Sequence, residues 1–106
     1  MLNKFEPIYS SLASDPDYCD LVQEFVSEFP SKAETLRQCV ADRDLVLLQR
    51  TVHQLRGACG GYGFPSLTES AGSVEEKLKA GQTLESVEES ILEFLNLLNR
   101  ATSEKE

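Results

Sequence analysis

No stretch of this 106-residue chain approaches the ~20 consecutive apolar residues that a membrane-spanning helix requires. The N-terminus has no basic region followed by an apolar run, so the chain reads as soluble and unexported. Cysteine is sparse and odd in number, with Cys19, Cys39 and Cys59 forming no Cys-x-x-Cys pair. That excludes a disulfide framework or a zinc site and suits reduced thiols in a cytoplasm. Positive charge is scarce: ten Lys and Arg face eighteen Asp and Glu, for a formal charge of −8. Such a surface repels polyphosphate, which argues against nucleic acid and anionic membranes as partners and for another protein. A glycine-rich nucleotide loop, a kinase ATP lid and a metal cage are all missing, so neither ATP hydrolysis nor self-phosphorylation is expected.

No segment alternates like a strand, and no internal repeat or low-complexity tract occurs. What recurs is helical periodicity broken by turn signals at Asp15-Pro16, Asp42 to Asp44, Gly60 to Pro65 and Ala80 to Gln82. Val22, Val26, Phe29, Ala33, Leu36 and Val40 keep one apolar stripe in phase through Pro30, which should kink the first helix or split it in two. A second helix starts after Asp44, an N-cap residue type, with Leu45, Leu48, Val52, Leu55 and Cys59 as its stripe, and stops near Gly60 and Gly61. Ser66 and Glu69 form a capping-box pattern for a third, striped by Leu67, Ala71, Val74 and Leu78 and ended by Gly81. Thr83 caps a fourth, with Leu84, Val87, Ile91, Phe94 and Leu98 on one side.

Length and 41% hydrophobic content fit one core. The short connections favour an all-α, up-down antiparallel four-helix bundle over residues 17–101. Residues 1–16 place Phe5, Ile8, Tyr9 and Leu12 at helical spacing, enough for a short extra helix capping one end. Residues 102–106 have nothing to bury and read as a frayed tail.

The chain's one histidine lies off the stripe of the second helix. At 100° per residue, His53 projects about 120° from the stripe's centre and so faces outward. Gly57 follows one turn later on the same face, and Gly60 after it. An interior helical glycine costs roughly 1 kcal/mol relative to alanine, which makes sense where another backbone must come close. Arg56 sits on the flank, with a fork of donors suited to phosphate oxygens. On the third helix Glu75 and Lys79 are one turn apart, just off the stripe. An antiparallel neighbour would bring them beside His53, the carboxylate to fix the Nδ1 proton and leave Nε2 outward, the ammonium to offset phosphoryl charge. The same two residues also fit an ordinary i, i+4 ion pair. Val46, Gln49, Arg50 and Gln54 flank the histidine as partner contacts, exposed Val46 in particular. Glu85, Glu88, Glu89 and Glu93 read as the solvated face of the fourth helix. Cys59 falls on the apolar stripe and points away from His53, so those two cannot share a metal.

The run His53-Gln54-Leu55-Arg56-Gly57-Ala58-Cys59-Gly60-Gly61-Tyr62-Gly63-Phe64 resembles the signature of histidine phosphotransfer (HPt) domains, and the resemblance extends over about residues 17–101. It implies that His53 is a phosphoacceptor, Arg56 the cation beside it, Gly57 the clearance for a partner, and Glu75 the group that hydrogen-bonds the imidazole. Lys79 stands where such domains vary. The resemblance further implies a monomeric phosphocarrier of two-component phosphorelays without kinase activity of its own. It would take its phosphoryl group from the aspartate of a response-regulator receiver domain, free or in a hybrid histidine kinase, and pass it to another. Magnesium would belong to the partner receiver and no cofactor to this chain. Two other readings stand beside it: a non-phosphorylated adaptor that sequesters receivers on the same face, and a helical regulatory module of an unrelated enzyme. Met1 and the full set of helices favour a stand-alone protein over the detached end of a kinase; the donor, the acceptor, the direction of flow and the stimulus are not encoded in any motif.

Overall fold

The computed structural model describes residues 6–106. Its helices are α1 (Cys19–Ser27), α2 (Phe29–Asp42), α3 (Leu45–Gly61), α4 (Pro65–Lys79) and α5 (Leu84–Arg100). The long first helix is divided at Glu28, which caps both halves while keeping a near-helical backbone. Pro30, in the first turn of α2, has no amide to return to the preceding turn, and the break falls where that bond would be. Glu28 bonds through its amide to the Phe25 carbonyl and through its carbonyl to Lys32 N, so α1 and α2 follow one another as one bundle helix. Helix α3 packs most extensively on α4, α4 on α5, and α2 bridges α5 and α3, which closes a four-helix ring.

Each boundary has a local cause. Arg43 takes a left-handed conformation (φ 54°), letting the Asp44 amide turn back to the Cys39 carbonyl at 2.9 Å. The Asp44 side chain then accepts from Leu47 N at 3.0 Å and starts α3. At the other end Gly63, with φ +83°, allows Phe64 N to reach the Cys59 carbonyl at 2.9 Å. Helix α4 does not open on the expected Ser66–Glu69 box. It begins two residues earlier, at Pro65, with Phe64 in the capping position and no side-chain cap. Proline's fixed φ and missing donor suit a first helical position, where the amide would be unpaired anyway. Thr83 does cap α5, accepting from Ser86 N.

The anticipated stripes meet in one core: Leu48, Val52, Leu55 and Cys59 from α3 face Leu67, Ala71, Val74 and Leu78 from α4 and Val87, Ile91, Phe94 and Leu98 from α5. Leu45, in the first turn of α3, is the exception and is exposed. Phe64, in the turn, is fully buried instead, a position worth about 1.5–3 kcal/mol for such a side chain.

The N-terminal segment is not the helix its spacing suggested. Among its described residues, Ile8–Tyr9 form strand β1, pairing in parallel with β2, Ala101–Thr102, and Phe5 lies outside the described residues. The Ser10 hydroxyl donates to the Tyr62 carbonyl at 2.6 Å, and Ser11 N donates to the Gly63 carbonyl at 2.9 Å. The Ser11 amide is thus spent on the α3–α4 turn, and the Ile8–Tyr9 backbone on the pairing with β2, so neither is available to a local helix. The same pairing places Ala101 and Thr102, partly buried, in an ordered strand, so the tail begins after residue 102 and not at it.

Candidate functional site

Helix α3 projects His53 from the bundle with 69% of its side chain exposed, while Nδ1 lies 2.5 Å from Glu75 Oε2 on α4. Glu75 itself is 1% exposed. Three cationic or donor groups converge on its carboxylate. His53 Nδ1 and Lys79 Nζ, at 3.5 Å, share Oε2; Arg56 Nη1 donates to Oε1 at 3.0 Å. Burial alone would push the Glu75 pKa up, but the hydrogen bonds from Arg56 and His53 and the charges of His53 and Lys79 outweigh it, leaving it below the ordinary carboxylate value. Glu75 is therefore an ionised acceptor at neutral pH. An ionised acceptor at Nδ1 selects the tautomer that carries its proton there, and Nε2, across the ring, is left with its lone pair toward solvent.

The surroundings divide into two sides. A cleft of about 420 Å³ is lined by Val46, Gln49, Arg50, His53, Glu75 and Lys79. Arg56 lies on the other side of Glu75, in a depression with Thr68, Gly72 and Glu76, its Nη2 3.9 Å from Glu76 Oε1. The sequence reading set Arg56 beside the imidazole as a phosphate ligand; in the resting structure its donors go to carboxylates. Gln54 lines a separate groove with Leu55, Ala58 and Tyr62. Val46 is 72% exposed, an apolar side chain at the cleft's edge.

The glycines differ in what they do. A Cβ at Gly57 would meet nothing within 4 Å, so among the described residues no packing calls for a glycine there. A Cβ at Gly60 would come within 3.2 Å of Thr68 Oγ1, and that hydroxyl donates to the Arg56 carbonyl at 3.0 Å. Gly60 thus lets α4 approach α3, a packing role beside the partner clearance first assigned to it.

Two features of the site escaped the sequence reading. Glu75 was expected at the border of the core and is in fact inside it. Gly72, never singled out, lies directly under the Arg56 guanidinium. Both depend on which arc of α4 meets α3, which a stripe one residue wide does not specify. Cys59 is fully buried, and burial pushes its thiol up to about 12, in keeping with a core residue. Among the described residues no cluster of His, Cys, Asp or Glu has metal-holding geometry, and no helix is long and apolar enough to cross a membrane.

A family model described as Hpt domain matches residues 20–104. No curated protein and no solved structure matches the chain.

Proposed function

From the premise that this chain belongs to the Hpt domain family, whose members carry phosphoryl groups on histidine in phosphorelays, we propose that His53 Nε2 takes the phosphoryl group from a receiver aspartate and delivers it to another. The observation that carries this reading is the exposed imidazole whose Nδ1 is tied to the buried carboxylate of Glu75. In the step, the Nε2 lone pair attacks phosphorus in line. A P–N bond forms as the bond from phosphorus to the aspartyl oxygen breaks, and the electron pair leaves on the receiver's carboxylate. Glu75 holds the Nδ1 proton throughout and stabilises the positive charge that grows on the ring. Run in reverse onto a second receiver, the same chemistry unloads the histidine.

Lys79 is the cation we assign to the transferred group, since it shares the cleft with His53. Arg50 lines the same cleft and presents a second positive charge to an acidic receiver pocket. Arg56 acts through Glu75, holding it ionised and oriented. Gly57 leaves the approach to His53 open, and exposed Val46 supplies apolar contact to the docking receiver. Magnesium would arrive with that receiver, whose phosphorylated carboxylate it binds. The donor is a receiver domain, free or part of a hybrid kinase. We further propose that the protein works as a cytoplasmic monomer.

The test is incubation with a panel of phosphorylated receivers. The parent should acquire label that is acid-labile and base-stable, and His53→Gln, altered at an exposed side chain, should keep its melting temperature and acquire none. A protein that binds receivers equally well with and without His53 and never takes up label would be an adaptor, and the relay reading would be abandoned.

A further inference from the structure

Helix α4 carries Gly72 in its buried middle, where glycine costs roughly 1 kcal/mol relative to alanine. Its helical neighbours do not call for it, since no positive φ occurs there. What occupies the space of the missing side chain is Arg56. A Cβ on Gly72 would stand 3.1 Å from both Cζ and Nε of the guanidinium and 3.3 Å from Nη2. The guanidinium therefore rests on bare α4 backbone, with Nη1 extended to Glu75 Oε1 at 3.0 Å. Gly72 and Glu75 are three residues apart and share one face of α4. With Oε1 taken by Arg56, Oε2 is the oxygen left for His53 and Lys79.

We propose that Gly72 is a positioning residue of the relay: it is the seat that holds Arg56 against one oxygen of Glu75, so that the other is aimed at His53 Nδ1 and Nε2 stays free. The inference rests on His53 being the phosphoacceptor, but its geometric content does not require a phosphorylated state. It also explains why Arg56 occupies a different depression from the His53 cleft: its work is done on the carboxylate. Any side chain at position 72 lifts the guanidinium off the helix. Alanine forces a shift of a few tenths of an ångström, which a flexible arginine partly absorbs; leucine leaves no room for it.

A purely structural role makes a different forecast: the substitutions would change the melting temperature and leave the His53 tautomer as it is. Ring ¹⁵N shifts of His53 at neutral pH report the tautomer, and are to be measured with melting temperature and receiver-to-histidine transfer rate in Gly72→Ala and Gly72→Leu. The expected result is a melting temperature close to the parent's for alanine and a lower one for leucine, which overpacks a buried position. With it, the Nε2–H tautomer should become about twofold more populated in the alanine variant and fivefold or more in the leucine variant, with transfer slowed in step. The discriminating arm adds Gly72→Ala to Arg56→Ala: with no guanidinium to displace, the glycine change should shift neither tautomer nor rate, a coupling that independent sites do not show. An unchanged tautomer ratio in a folded Gly72→Ala protein overturns the seat, as does an equal effect with and without Arg56. If Gly72→Leu does not fold, the alanine pair decides. Failure of the relay reading itself appears separately, as a parent protein that takes up no label while its tautomer still responds to position 72.

Discussion

Replacing Glu75 with alanine removes the acceptor that fixes the imidazole, and the structure sets the scale of the loss. A hydrogen bond to a charged group is worth about 1.5–3 kcal/mol when its partners are fully desolvated. Glu75 meets that condition at 1% exposure, but the His53 side chain is 69% exposed, so water competes for Nδ1 and the lower end applies. About 1.4 kcal/mol corresponds to tenfold in rate, so transfer to Glu75→Ala should be about 10-fold slower, and not more than about 100-fold. It should not be abolished, because Nε2 remains present and exposed. Glu75→Gln should fall between parent and alanine: its amide oxygen can still accept from Nδ1, but its amide nitrogen then faces the Arg56 donor. The assay is rapid-quench transfer from one phosphorylated receiver, with receiver affinity measured in parallel so that docking and chemistry are separated. Parent-like transfer in a folded Glu75→Ala protein would remove Glu75 from the mechanism and with it the claim that the ring is oriented from α4.

Acid titration tests the same carboxylate through stability. Burial raises the Glu75 pKa but its hydrogen bonds and neighbouring charges pull it further down, below the ordinary 4.5. Its contribution to stability is thus present above 4.5 and lost as pH falls through the folded-state value. The melting temperature of the parent should therefore drop more steeply than that of Glu75→Gln as pH is lowered below 4.5; a constant difference between the two would contradict the assigned shift. Gly57→Ala fills open space in a helix and should raise stability by roughly 1 kcal/mol, about 5 °C in melting temperature for a domain of this size. It should also slow transfer by crowding the receiver, and a stabilised variant with parent-like transfer would show that the clearance is not used.

The four-helix bundle was legible because three of its stripes run nearly unbroken, and Pro30 announced where the first helix divides. The outward direction of His53 followed from the same periodicity, since Leu48, Val52 and Leu55 fix the rotation of α3. The N-terminal segment was misread because Ile8, Tyr9 and Leu12 are spaced for a helix, yet Ser10 and Ser11 find better partners in the Tyr62–Gly63 turn and Ile8–Tyr9 pair with Ala101–Thr102. Such partners are more than fifty residues away in sequence and leave no local pattern. The resting partner of Arg56 was not legible for a related reason. The arginine's reach toward Glu75 depends on Gly72 and Glu75 facing α3 together, and helix-helix rotation is set by side-chain packing that a stripe does not specify.

The central claim is that Glu75 holds the Nδ1 proton and leaves Nε2 as the nucleophile, and the isomer of the phosphohistidine reports it directly. Phosphorylated protein labelled with ¹⁵N at its single histidine should show ³¹P coupling to Nε2, with Nδ1 retaining its proton. Coupling to Nδ1, or phosphate found on any other residue, would contradict the account.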